Sequence, residues 1–232
     1  MKKAINCFIP YDNEQSLQRT ITSLQQSERV ARIYLLATNS GKEEIAGCPV
    51  IQIDTPNSTE TFRQIAQLAD TPYTLLYVKT SPLELGYRAL ERMTDYLIED
   101  ETTLVYADYY EWKGGELIPH PVIDYQLGSV RDDFDFGSVL LFDSNTLKEG
   151  VLALEQQENY SYAALYALRL FASHQGSIRH INEYLYEYTG KLPVGEKYKL
   201  QLANSIWFTE DERFTVNREF LQKVKNHYDA DA

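Results

Sequence analysis

The stretch YTLLYVKTSPLELG, Tyr73 to Gly86, decides how this chain is read. Its first six residues, Tyr73 to Val78, are apolar enough for a central strand, because a strand covered on both faces needs no polar alternation. Ser81-Pro82-Leu83-Glu84 follows and reads as a capping box with proline at the first helical position. Leu83, Tyr87, Leu90, Met93 and Leu97 then recur at helical spacing. Buried strand, turn and helix are thus predicted in one run. Lys79 falls at the strand's end, immediately ahead of the expected helix start.

Outward from there the same unit recurs. Ala4 to Ile9 (AINCFI) reads as a buried strand, and a helix is expected over 14–26 with Leu17, Ile21 and Leu24 on one face. Asp12 with Gln15 suits its cap. Arg32 to Ala37 is a second strand, broken at Thr38-Asn39-Ser40-Gly41. A short strand over 50–53 precedes a helix over 59–68, with Asn57 and Glu60 as its capping pair. Beyond the central run, Leu104 to Tyr110 (LVYADYY) is another strand, and Lys113-Gly114-Gly115 turns the chain. Residues 116–137 read as a loop, 138–142 as a strand, 160–172 as a buried helix, and 178–181 with 184–188 as edge strands. Alternating strands and helices predict an α/β fold with a mixed, mostly parallel central sheet flanked by helices. One domain is expected over 1–190. Residues 191–232, with helical spacing at Val216, Phe220 and Val224, are expected to form a helical extension packing on it or continuing from it.

Composition narrows the function. Of 232 residues, 34 are Asp or Glu against 22 Lys or Arg, for a net charge of -12. Phosphate backbones need clustered cations, so a nucleic-acid partner is not expected. No run approaches the ~20 apolar residues of a membrane span, and the apolar run at the start ends at Pro10, too early for a signal peptide. Cys7 and Cys48 lie in strand-like stretches and read as buried free thiols of a reducing compartment. A cytoplasmic location is expected, free or peripheral at the inner face of a membrane. Absence of Gly-x-Gly-x-x-Gly and Gly-Lys-Ser/Thr strings argues against dinucleotide dehydrogenases and P-loop enzymes. The four His form no zinc spacing.

The order of elements resembles the family 2 glycosyltransferases, of GT-A fold, over roughly residues 3–190. AINCFIPYDNEQSLQRTITSLQQ resembles that family's first strand, turn and helix; ARIYLLATNSG its second strand and turn; Thr61-Phe62-Arg63-Gln64 its Ala-Arg-Asn helix start. LVYADYYEWKGGELIPHP resembles a strand and hairpin of one branch, and ALYALRLF with RHINEYLYEY the closing helix and strand. The resemblance implies transfer of a sugar from a nucleoside-diphosphate sugar to a hydroxyl of a glycan acceptor, by inversion, in polysaccharide or glycoconjugate synthesis. It also places Tyr11, Asp12, Asn13 and Asn39 near the base or ribose, and Arg63, Lys79 and Ser81 near the diphosphate.

Two departures stand out. The family's metal-binding Asp-x-Asp is replaced by Lys79-Thr80-Ser81, and its Glu-Asp base motif by Tyr162-Ala163, with Glu158 the nearest acid ahead of it. A lysine beside a helix N-terminus could hold a diphosphate without metal; it could equally be an exposed remnant. Asp133 and Asp135 form a literal Asp-x-Asp in a loop. Two carboxylates spaced so could share Mg2+ or Mn2+, or merely face solvent. Asp108 at a strand end, or Glu158, could serve as general base, while Asp108 could instead tie down the hairpin. Trp112 with Tyr109 and Tyr110 could stack on a sugar, and Arg131 and Asp132 could touch the acceptor. The alternative is a non-catalytic GT-A-like domain that binds a glycan or nucleotide, or acts as an interaction module.

Overall fold

The computed structural model describes residues 3–11, 14–38, 40–98, 101–113, 115–126, 134–157 and 159–188. The expected extension over 191–232 lies outside them. In chain order the elements are β1 (Ile5–Pro10), α1 (Glu14–Gln25), β2 (Val30–Ala37), β3 (Glu44–Ile45), β4 (Cys48–Gln52), α2 (Thr59–Leu68), β5 (Tyr73–Tyr77), β6 (Leu83–Leu85), α3 (Ala89–Ile98), β7 (Thr102–Lys113), β8 (Glu116–His120), β9 (Val139–Asp143), α4 (Ser144–Gln157), α5 (Ala164–Gln175) and β10 (Ser177–Tyr188).

The strands form one mixed sheet in the order β3-β4-β2-β1-β5-β9-β7-β10-β6, with β8 beside β7. From β4 to β5 the pairing is parallel, as βαβ units require. β9 runs antiparallel between β5 and β7, and β10 is parallel to β7. Six strands therefore point their carboxyl ends the same way. Residues of β1 are buried throughout, and Leu75 and Leu104 to Ala107 are fully buried, which explains their unbroken apolar runs. Cys7 and Cys48 are buried free thiols. Burial holds the Cys7 thiol well above its usual range.

Four expectations are corrected. Ser81–Glu84 starts no helix: Leu83–Leu85 is β6, paired with β10, and α3 begins only at Ala89, after Arg88 at φ 52°. Thr20 and Ser23 of α1 accept the Leu83 and Leu85 N–H groups at 3.0 and 2.7 Å, while Leu185 O accepts from Gly86 N. Partners distant in sequence thus outbid the local helix signal. Residues 178–181 and 184–188 form one strand, β10, and β6 covers its outer side only at Tyr186–Tyr188. Residues 116–120 are not loop but β8, zipped to β7 from Tyr109–His120 to Lys113–Glu116. The cap of α2 is Ser58, whose hydroxyl accepts from Thr61 N, rather than Asn57.

Helix α4 was not anticipated, although its signals are present. Asp143 Oδ1 accepts from Thr146 N at 2.8 Å, an N-terminal cap, and Leu147, Val151 and Leu154 bury one face. Gly150 lets α5 approach: a Cβ there would meet Leu168 Cδ2 at 2.8 Å.

Tyr186 anchors the turn into β9. Its hydroxyl accepts from Ser138 N at 2.5 Å and lies 3.4 Å from Val139 N, in a buried setting. Tyr186→Phe is therefore expected to lose about 1–3 kcal/mol, the cost of a buried donor left without its acceptor. A urea unfolding midpoint equal to the parent's would contradict this.

Candidate functional site

Strand register brings the candidate residues together. Leu141 pairs with both Leu75 and Val105. Since β5 and β7 run the same way, Lys79 and Tyr109, each four residues further on, end at the same height. Tyr186 and Tyr188 pair opposite Tyr109 and Glu111. Side chains two apart on a strand share a face, so Tyr109, Glu111, Tyr186 and Tyr188 look the same way. This is the carboxyl end of the sheet, where ligands of open α/β folds bind.

The Lys79 ammonium lies in the middle of this group. Nζ is 3.6 Å from the centre of the Tyr188 ring and 5.5 Å from that of Tyr109. Such contacts attract a cation through the ring quadrupole. Burial lowers the amine to about 8, opposed by the negative charges of Asp135 and Glu111. Asp135 is held in turn: Oδ2 accepts from Tyr109 Oη at 3.1 Å and Oδ1 from Gly137 N at 2.7 Å. Glu111 lies 2.9 Å from His120 Nε2, and the His120 ring stacks on Tyr109 at 5.1 Å. Burial first, then the Asp135 charge, pushes the Tyr109 hydroxyl far up, so it stays a neutral donor. Beneath lies Arg169, buried, its guanidinium 4.9 Å from the Phe136 ring centre and lowered by burial to about 10.

A divalent ion does not fit Asp135 as it stands. Both oxygens already accept hydrogen bonds and an ammonium faces it. Among the described residues no three His, Cys, Asp or Glu could hold a metal. Its expected partner Asp133 lies outside the described residues, as do Arg131, Asp132, Asp12, Asn13, Asn39 and Glu158.

The remaining candidates are dispersed. Asp108 is not open to a substrate: it is 1% exposed, and its Oδ1 accepts from Val122 N at 2.8 Å and lies 2.8 Å from His180 Nε2. Its place is to fasten the chain after the hairpin, the structural alternative above. Arg63 is paired with Glu60 and, at 2.5 Å, with Glu155 of α4, so a diphosphate would have to displace two carboxylates. Ser81 offers its carbonyl to Tyr77 Oη at 2.8 Å. Tyr11 packs on the core at the end of β1, its N–H bonded to Leu36 O. Trp112 is 39% exposed on the other face of β7, with Nε1 donating to Glu187 at 3.0 Å and a stacked Tyr110–Tyr184 pair nearby. Tyr109 does not join Trp112 in a platform, because successive residues of a strand point to opposite faces.

Sequence reasoning missed Glu111, His120, Tyr188 and His180. Alternation of Tyr109 with Glu111, and of Tyr186 with Tyr188, was a usable signal for a shared face. Nothing local joins Asp108 to His180, 72 residues away.

With this geometry in hand, the class is defined by architecture: the chain has a GT-A-like fold shared with nucleotidyltransferases, a mixed, mostly parallel sheet flanked by helices. Particular likenesses follow. The S. aureus TarS fragment 1-349 superposes at TM-score 0.56 and 12% identity, over 95% of this chain and 71% of that one. The 4-diphosphocytidyl-2C-methyl-D-erythritol synthase of Anaerococcus prevotii does so at 0.52 and 11%, over 95% and 99%. The bifunctional IspDF from Campylobacter jejuni aligns at 0.48 and 10%, over 78% of this chain, which spans 50% of its length. These likenesses are of fold and do not single out family 2. No family model matches the chain, and no curated protein sequence matches it.

Proposed function

We propose that this chain is a nucleotide-sugar transferase domain. It binds a nucleoside-diphosphate sugar at the carboxyl end of the sheet and passes the sugar to a hydroxyl of a glycan acceptor, in polysaccharide or glycoconjugate synthesis. The observation that carries this reading is the Lys79 ammonium, held just past the end of β5 over the Tyr188 ring and near that of Tyr109, in the field of the Asp135 and Glu111 charges. A cation there would face the diphosphate as negative charge develops on it. In the inverting step the acceptor oxygen forms its bond to the anomeric carbon while the bond from that carbon to the diphosphate oxygen breaks. The bonding pair leaves with the diphosphate and the hydroxyl proton passes to a carboxylate. Burial of Asp108 speaks against it as that base, and Glu158 is the carboxylate proposed for the role. No step is routed through a metal.

A second reading has its own support. Asp135 and Glu111 already answer the charge on Lys79, and Asp108 is closed off, so the domain could bind a nucleotide or glycan without catalysis. Calorimetric titration with UDP, GDP and their sugar conjugates, with and without Mn2+, separates the two. Saturable, metal-independent binding of one sugar conjugate, followed by turnover with an acceptor, supports the transferase. Binding without turnover supports the second reading, and binding that needs Mn2+ returns the site to Asp133 and Asp135.

Charge on Lys79 also predicts a pH dependence. With its amine lowered to about 8, the site is cationic below that pH and neutral above it. Affinity for a diphosphate is expected to hold below pH 8 and to fall by up to ~10-fold per unit above it. Stability takes the opposite sign: the folded amine binds its proton less tightly than the unfolded one, so this group stabilises the fold as pH rises from 8 towards 10.5. Affinity unchanged between pH 7 and 9.5 would remove Lys79 from the anion site.

A further inference from the structure

The segment after the hairpin, residues 121–126, crosses the sheet as a strap fastened by three polar ties. Val122 N donates to Asp108 Oδ1 at 2.8 Å, and Tyr106 Oη donates to Ile123 O at 2.6 Å. The third tie is His180, which lies in β10 with its ring stacked on Tyr106 at 5.1 Å. Its Nε2 is 2.8 Å from Asp108 Oδ1 and its Nδ1 is 2.7 Å from Asp124 Oδ1. The imidazole is 5% exposed, Asp108 1% and Asp124 82%.

Both ring nitrogens thus face carboxylate oxygens. An ionised carboxylate only accepts hydrogen bonds, and a neutral imidazole has one N–H and one lone pair. Both contacts are satisfied together only by the imidazolium. Asp108 needs that cation, since its Oδ2 is buried and has no hydrogen-bond partner among the described residues. We propose that His180 is a positioning residue: as an imidazolium clamped between Asp108 and Asp124, it latches the strap onto the sheet, and losing one proton releases the strap at Asp124.

The groups facing the ring are Asp108 and Tyr106 from β7 and Asp124 from the strap; among the described residues its polar contacts are those two carboxylates. A neutral ring keeps its one N–H for the buried Asp108, because water can take over solvation of the exposed Asp124 but not of Asp108. The strap leads to the candidate site. Tyr125 packs on Phe134 and Phe136 at 6.1 and 6.3 Å, and these flank Asp135, the partner of Tyr109 beside Lys79. The latch is therefore placed to tune the Lys79 site. That consequence rests on the proposed donor reading; the latch itself does not.

The test uses the full chain. Nitrogen-detected NMR reads the protonation of His180 at Nδ1 and Nε2, and amide exchange of Val122, corrected for intrinsic rates, reads strap opening. With the strap closed, both nitrogens are expected to carry protons. As the imidazolium deprotonates, Val122 protection is expected to fall severalfold while Leu75 stays unchanged. Asp124→Asn removes one anion at an exposed position and should move that fall to lower pH. His180→Gln should leave Val122 less protected at every pH, without a step. A neutral ring with the strap closed, or a Val122 amide whose protection ignores both pH and Asp124→Asn, would overturn the latch; the Asp124 arm decides if His180→Gln fails to fold. Titration with UDP in the same samples separates the readings: a pH step in Val122 without nucleotide binding keeps the latch and sinks the donor site.

Discussion

Lys79→Ala is expected to weaken binding of a nucleoside diphosphate by ~10- to 100-fold, with a chelator making no difference. A charge-assisted contact contributes about 1.5–3 kcal/mol, which is that range of affinity. The amine lies just past the end of β5 over the Tyr188 ring and near that of Tyr109, in the field of the Asp135 and Glu111 charges. Alanine also removes the stem that packs beside these rings, so Lys79→Met, which keeps an apolar stem, is the matching control. Both variants should lose affinity, and the Met variant should keep the parent's unfolding midpoint. Isothermal titration with UDP and GDP checks the first point and urea unfolding the second. Affinity equal to the parent's in the Met variant would mean that Lys79 only balances Asp135 and Glu111, and would favour the non-catalytic reading.

Gly137→Ala is expected to cost about 2–5 kcal/mol. Gly137 has φ +69°, a conformation that costs an L-residue about 1–2 kcal/mol. Its Cβ would collide with the Tyr186 hydroxyl and lie 3.2 Å from Ala107 O. Tyr186 cannot step aside, because its hydroxyl holds the Ser138 N–H and its ring stacks on Tyr109 at 5.5 Å. Overpacking of this kind adds about 1–3 kcal/mol. Against a total stability of roughly 5–15 kcal/mol, the loss is large. The collision has its own signature. Combined with Tyr186→Phe, which removes the offending oxygen, Gly137→Ala should cost less than the sum of the two single changes. Strict additivity in urea unfolding would refute the steric account.

Much of the scaffold was legible in the sequence. AINCFI, RIYLLA and YTLLYV are strands because unbroken apolar runs bury both faces of a parallel sheet. The helix after β4 was equally clear, from Phe62 and Ile65 on its buried face. Asp143 with Leu147, Val151 and Leu154 carries the same kind of signal for α4, a cap followed by apolar residues at helical spacing. At the site, Lys79 and Asp135 were singled out for different chemistries, one for the diphosphate and one for a metal. The structure brings them to the same cluster, where each partly answers the other's charge.

The sequence by itself determined the α/β alternation, the burial of β1, β2, β5 and β7, and the presence of a cation at the end of β5. These follow from residues close along the chain, where hydrophobic periodicity and turn chemistry act. Tertiary structure alone decided three things. It made Leu83–Leu85 a strand, because β10 pairs with it at Tyr186–Tyr188 and the Thr20 and Ser23 hydroxyls accept its N–H groups, partners that a helix start cannot match. It closed Tyr188 over Lys79, and it set His180 against Asp108. Each depends on β10 lying parallel to β7 with shifts in register between Ile181 and Tyr186. A shift of one residue turns every later side chain to the other face, and such shifts are set by packing between segments that the sequence separates by more than seventy residues.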